Sequence, residues 1–188
     1  IAQTLKRDQG IYESDAISIA IDPVNQRTNG FLFSITPYNV QTEELVNVGA
    51  PSEELSFSWD NKWYSATSRH PTYWIAEIAI PFHTLRFKEG HDTWGLNILR
   101  SDLKTNEYSS WTDMPLNFDF YDFGYSGAIL WDKPPVSPGT NASIIPYITS
   151  SINSNQESGD PTKSKFNGGF DAKLSLTPSL NLDLTVNP

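Results

Sequence analysis

The sequence predicts an all-β chain folded as an antiparallel β-sandwich. Three observations carry that expectation. Short segments alternate apolar and polar residues with a period of two; Pro, Gly and Asn cluster between them; and no window sustains a helical apolar repeat.

The elements follow in order. In DAISIAID, Ile17, Ile19 and Ile21 point one way, and Ala16, Ser18 and Ala20 the other. GFLFSITP repeats the pattern, with Phe31, Phe33 and Ile35 opposite Leu32, Ser34 and Thr36. The DPVNQRTNG stretch between them reads as a hairpin connection. In WIAEIAIP, Trp74, Ala76, Ile78 and Ile80 share a core face, while Glu77 points away with Ile75 and Ala79; Pro81 ends the strand because it has no N–H for a ladder. FHTLRF allows one short turn at most. In WGLNILR, Trp94, Leu96 and Ile98 oppose Gly95, Asn97 and Leu99.

Composition shifts from about Asn117, where NFDFYDFGYSG is aromatic-rich and WDKPPVSPGTN is rich in Pro. These shifts divide the chain into a sandwich over 1–132, a Pro-rich linker over 133–141 and a second β-region over 142–188. In the last, Phe170, Ala172, Leu174 and Leu176 alternate with Asp171, Lys173, Ser175 and Thr177; after a turn, Leu180, Leu182, Leu184 and Val186 alternate with Asn181, Asp183, Thr185 and Asn187. Strands of about ten residues with one apolar and one polar face occur both in outer-membrane barrels and in soluble two-layer sheets.

Charge and motifs narrow the function. With 13 Lys and Arg against 22 Asp and Glu, the net charge of −9 disfavours nucleic acid, whose phosphates need a basic surface. There is no Cys, which removes disulfides, thiolate metal sites and cysteine nucleophiles. His70, His83 and His91 lack metal-binding spacing, and no nucleophile elbow or phosphate-binding loop is present. Glu77 with Asp113 or Glu107 offers a carboxylate pair of the kind a glycosidase uses, but acidic residues are abundant enough to form such pairs by chance, so the reading is non-catalytic. Asp8, Asp15 and Asp22, with Glu13, supply hard oxygen ligands for calcium without EF-hand spacing. Solvated loop carboxylates are the competing reading. Neither end reads as a natural terminus, so the chain is expected to be a piece of a longer protein.

The aromatic residues point to a ligand. Six tryptophans are present, and Trp74 and Trp94 share the parity of the core. Trp59 and Trp63 in SFSWDNKWYSATS and Trp111 in NEYSSWTDMP sit in polar, small-residue stretches read as loops. Loop indoles beside carboxylate, amide and guanidinium groups suit a sugar, whose C–H face stacks on a ring while its hydroxyls pair with polar groups. Parity also sets Glu77 and Asn97 on a face with Ser18 and Ser34, if those strands are neighbours. That face is either a binding surface or an outer face on which Glu77 pairs with Arg69, Arg86 or Arg100.

The blocks KRD, SDAISIAIDP, RTNGFLFSITPYNVQ, WDNKWYSAT, YWIAEIAIPFHTLRF, TWGLNILR and NEYSSW, in this order from Lys6 to Trp111, resemble the family 9 carbohydrate-binding-like domain of large Gram-negative, Bacteroidetes-type outer-membrane proteins. The tail FDAKLSLTPSLNLDLTVNP is similar to the start of the uncharacterised β-barrel region that follows that domain. The resemblance implies a non-catalytic module for a polysaccharide or glycan, carried on a barrel at the outer membrane, with other envelope proteins as further partners. The alternative it leaves is a structural or partner-docking domain of a transport or secretion barrel. It also implies that the family's opening strands precede Ile1. In family 9 modules tryptophans clamp a chain-end sugar. From the residues of this chain, the binding candidates are Trp59, Trp63 and Trp111 as stacking platforms and Glu77, Asn97 and Arg100 as polar contacts.

Overall fold

The computed structural model describes residues 7–8, 14–49, 55–57, 59–136, 142–153, 163–177 and 180–187. The chain divides into two compact units, Ile1–Ser137 and Pro138–Pro188. All pairing among the strands is antiparallel, and no α-helix occurs among the described residues.

The first unit is organised around one wide sheet. Its strands are β1 (Ala16–Asp22), β2 (Asn29–Ile35), β3 (Gln41–Asn47), β4 (Leu55–Ser56), β7 (Thr93–Asp102), β8 (Glu107–Ser110) and β9 (Gly127–Leu130). They run in the order β4-β3-β2-β1-β7-β8, and β9 takes the other half of β7's outer edge. A two-stranded sheet, β5 (Tyr64–Arg69) with β6 (Trp74–Ala79), forms the second layer.

Alternation explains the packing. Ile17, Ile19 and Ile21 stand beside Phe31, Phe33 and Ile35 on β2 and Leu96, Ile98 and Arg100 on β7. Apart from Arg100 and Ile98, these residues form one apolar cluster with Trp63, Leu85, Phe87 and Trp94, joined by Trp74, Ala76 and Ile78 from β6. The hairpin therefore lies over the odd-numbered face of β1 and β2. Pro81 and the 3-10 turn Phe82–Thr84 redirect the chain, and Phe82 and Phe87 then meet Trp94 edge-on or tilted.

The opposite face of the wide sheet is covered as well. Ala20, Leu32, Val46 and Leu99 pack against Phe120, Tyr121 and Phe123 from the segment after β8. Gly30 permits this closeness, because a Cβ there would stand 2.5 Å from the Phe123 ring.

Asp22 closes the β1–β2 connection through its side chain. One carboxylate oxygen accepts from the N–H groups of Val24 and Asn25, and the other from Arg27. Asn25 and Arg27 adopt positive φ, so the carboxylate holds a turn that the backbone alone would not favour.

The second unit is a meander of β10 (Ala142–Asn153), β11 (Lys163–Thr177) and β12 (Leu180–Val186). Its register aligns Ile144 with Ala172 and Leu184, and Pro146 with Phe170 and Val186. Ile144, Ile148, Ile152, Phe166, Leu182, Leu184 and Val186 all share that face and are exposed. Lys165, Asp171, Lys173 and Asp183 occupy the other face.

Candidate functional site

The register of β7 and β8 builds the candidate site. Arg100 stands opposite Ser109, and Asp102 opposite Glu107. The ladder continues one step further, because the Trp111 N–H donates to the Ile98 carbonyl at 2.8 Å. Glu107, Ser109 and Trp111 thus share one face with Ile98, Arg100 and Asp102. Trp111 is 57% exposed, and its six-membered ring rests on Gly127 of β9. Within this stretch Glu107–Ser110 form β8, while Trp111 itself sits in a bend just past the strand, outside regular structure as expected.

The charges on this face are paired but accessible. The Arg100 Nη2 donates to Asp102 Oδ2 at 2.7 Å and makes no other hydrogen bond among the described residues. Desolvation raises the Asp102 carboxyl, yet the Arg100 hydrogen bond, the Thr105 and Lys104 N–H groups and the guanidinium charge outweigh it and leave the group below the ordinary carboxylate range. Ser109 Oγ donates to Glu107 Oε1 at 3.1 Å. The face therefore offers donors and acceptors a few ångströms apart beside an exposed indole.

On the other side of Arg100 is a cleft of about 240 Å³, lined by Ile17, Thr72, Tyr73, Trp74, Ala76 and Arg100. Tyr73 is exposed and stacks on His70 with ring centroids 4.4 Å apart. Arg100 joins the cleft to the Trp111 face.

The other expected residues lie elsewhere. Trp63 is only 4% exposed, and its Nε1 donates to Glu43 at 2.8 Å; it is a core residue, which corrects its assignment as a stacking platform. Burial pushes the Glu43 carboxyl up, and the indole N–H draws it back. Arg7 reaches the same carboxylate from the edge of β3 and also bonds Asp60. Trp59 is half-buried against Phe31 and Phe33, with centroids at 4.9 and 5.8 Å.

Glu77 and Asn97 do not share a face. Glu77 is exposed on the outer side of the hairpin, opposite Ala66, in a different sheet from β7, and forms no ion pair among the described residues. Asn97 is 0% exposed, beneath the segment after β8. Its Nδ2 donates to the Phe120 carbonyl at 2.8 Å and to Met114 Sδ, and its Oδ1 accepts from the N–H groups of Ile98 and Thr112 and from Ser110 Oγ. This network removes Asn97 from any ligand surface. Ser18 and Ser34 do share its side of the sheet, where they bond each other.

The calcium expectation placed Asp8, Asp15 and Asp22 together. Among the described residues they are spent separately: Asp8 pairs with Arg7, Asp15 accepts from the Leu103 N–H, and Asp22 holds its turn. No group of three metal-ligating side chains forms among the described residues, and Glu13 lies outside them.

No curated protein and no solved structure gives a significant match to the chain. The family model described as carbohydrate family 9 binding domain-like matches residues 2–126, which covers every element of the site from β1 to Tyr125. This chain belongs to the carbohydrate family 9 binding domain-like family.

Proposed function

We propose that the first unit binds carbohydrate without transforming it, on the face formed by Trp111, Arg100, Asp102, Glu107 and Ser109. The observation that carries this reading is the adjacency of an exposed indole and an accessible guanidinium–carboxylate pair on neighbouring strands. The indole supplies a surface for sugar C–H groups, and the pair supplies both a donor and an acceptor for hydroxyls. Asp102, whose carboxyl Arg100 holds below the ordinary range, supplies an acceptor for a sugar hydroxyl. The test is a glycan array with the isolated chain, followed by calorimetry on retained sugars and a hydrolysis assay. Retention without cleavage supports the reading, and an empty array refutes it.

We further propose that the second unit is the beginning of an outer-membrane barrel, placing the sugar-binding unit at the cell envelope. Support comes from its exposed aliphatic face opposite a charged face, the division that lipid on one side requires. Recovery of the longer natural protein in the outer-membrane fraction tests this, and recovery in the soluble fraction would count against it.

A second reading, partner docking, is favoured by β6. Among the described residues this strand pairs only with β5, and the cleft lies against Trp74 and Ala76. An extended peptide could add to that edge by backbone pairing. Co-purification of an envelope protein, in the absence of glycan affinity, would select this reading.

A further inference from the structure

The second unit holds one contact that its division into an aliphatic and a charged face does not explain. Tyr147 of β10 stands opposite Gly169 of β11, on the face that carries Lys165, Asp171, Lys173 and Asp183. From Ala142 to Ile152 it is the only residue of β10 that is half-buried; the rest are exposed. Its ring covers Gly169. A Cβ there would stand 2.6 Å from the Tyr147 Oη and 2.7 Å from Cζ, and would also strike the Val186 carbonyl. The hydroxyl then reaches the end of β12, where it donates between the Asn187 carbonyl at 2.7 Å and the Val186 carbonyl at 3.0 Å. Asn187, at positive φ, answers with a bond from its Nδ2 to the Gly168 carbonyl at 2.7 Å.

Backbone ladders already join β11 to both of its neighbours, so this tie adds little to pairing. It acts on curvature. A side chain bonded across three strands on one face draws that face together, and the sheet curls toward it. Curling crowds the inner face, and Gly169 removes the side chain that would otherwise meet the ring. Gly168, next along β11, leaves two consecutive residues free to take up the bend. On the opposite face, Ile144, Ile148, Phe170, Leu184 and Val186 are bulky and gain room as that face spreads.

We infer that Tyr147 and Gly169 form a curvature lock that turns the charged face inward, so that the strands close around water and not around lipid. The inference rests on the barrel reading above; it adds what bends the sheet, and toward which face. Lys165, Asp171, Lys173 and Asp183 then line the interior, and the aliphatic face becomes the convex outer surface.

The longer natural protein, refolded into detergent micelles, tests this through the fraction that resists unfolding in cold sodium dodecyl sulfate. Gly169→Ala and Tyr147→Ala should each fold severalfold more slowly than the parent, and Tyr147→Phe, which keeps the ring, should fall between. Gly169→Ala should cost less in the Tyr147→Ala background, because the ring it strikes is gone. Thr149→Ala, on the same strand and face, should fold like the parent. Folding of Gly169→Ala and Tyr147→Ala at the parent's rate, or costs that simply add, overturns the inference. Its direction is read in a background without other cysteines, where a water-soluble maleimide should label Lys173→Cys and spare Leu184→Cys. Labelling of Leu184→Cys alone overturns the inference and leaves a barrel of opposite curvature. Equal labelling of the two overturns the barrel reading as well.

Discussion

The ring of Trp111 rests against Gly127, with Cζ3 only 2.6 Å from where a Cβ on that glycine would stand. The most exposed indole near the site is thus set by a residue on another strand that must lack a side chain. Gly127→Ala should displace the ring and lower glycan affinity severalfold, while shifting the melting temperature little. Calorimetry and thermal denaturation of the same preparation check both halves.

Asn97 should matter for folding and not for recognition. Truncation to Ala leaves the Phe120 carbonyl and the Thr112 N–H without their side-chain partner in a buried setting. The expected cost is roughly 2–4 kcal/mol, from lost hydrogen bonds and unsatisfied groups. Urea denaturation measures it, and glycan affinity of the folded fraction should match the parent.

Glu44 predicts a pH dependence. It is 0% exposed, both carboxylate oxygens lack hydrogen-bond partners among the described residues, and burial followed by the nearby Asp8 charge pushes its carboxyl up to about 7 from an ordinary 4.5. The folded state therefore holds the proton more tightly than the unfolded state. The stability this provides is complete below about pH 4.5, declines as pH rises and is lost above about pH 7, a change of roughly 3 kcal/mol. Glu44→Gln should match the parent near pH 4.5 and exceed it by about that amount at pH 8. Denaturant titrations at the two pH values decide it.

Glu77→Gln should leave glycan affinity unchanged. Glu77 stands on the outer face of the hairpin, in a different sheet from Arg100. Calorimetry on the variant provides the check, and a large loss would move the site to the hairpin's outer face.

The sequence exposed the sandwich because its buried faces repeat with period two, and that period depends on local chain geometry. Ile17 through Ile21 and Phe31 through Ile35 could therefore be assigned to one layer before their register was known. Sheet membership is a different kind of information. Nothing in WIAEIA states that β6 leaves the sheet of β7, so Glu77 and Asn97 shared a parity without sharing a face. Trp63 does lie just before β5, in the loop its polar surroundings suggest, yet it is buried there because its indole N–H pairs with a buried carboxylate twenty residues earlier in sequence. Ser109 and Asp102 of the proposed face were not among the sequence candidates, and Glu107 was one only as a partner for Glu77; a local signal was present, because Glu107, Ser109 and Trp111 are spaced by two. What the sequence did not show was their alignment with Arg100, which required the register.

The central claim is that Trp111 and Arg100 together form a sugar-binding face. Calorimetric titration of the parent and Trp111→Ala with a glycan retained on the array tests it most directly. The account predicts at least about a tenfold loss of affinity with an unchanged melting temperature, because an exposed ring contributes to binding and little to folding. Equal affinity in the two proteins would contradict it.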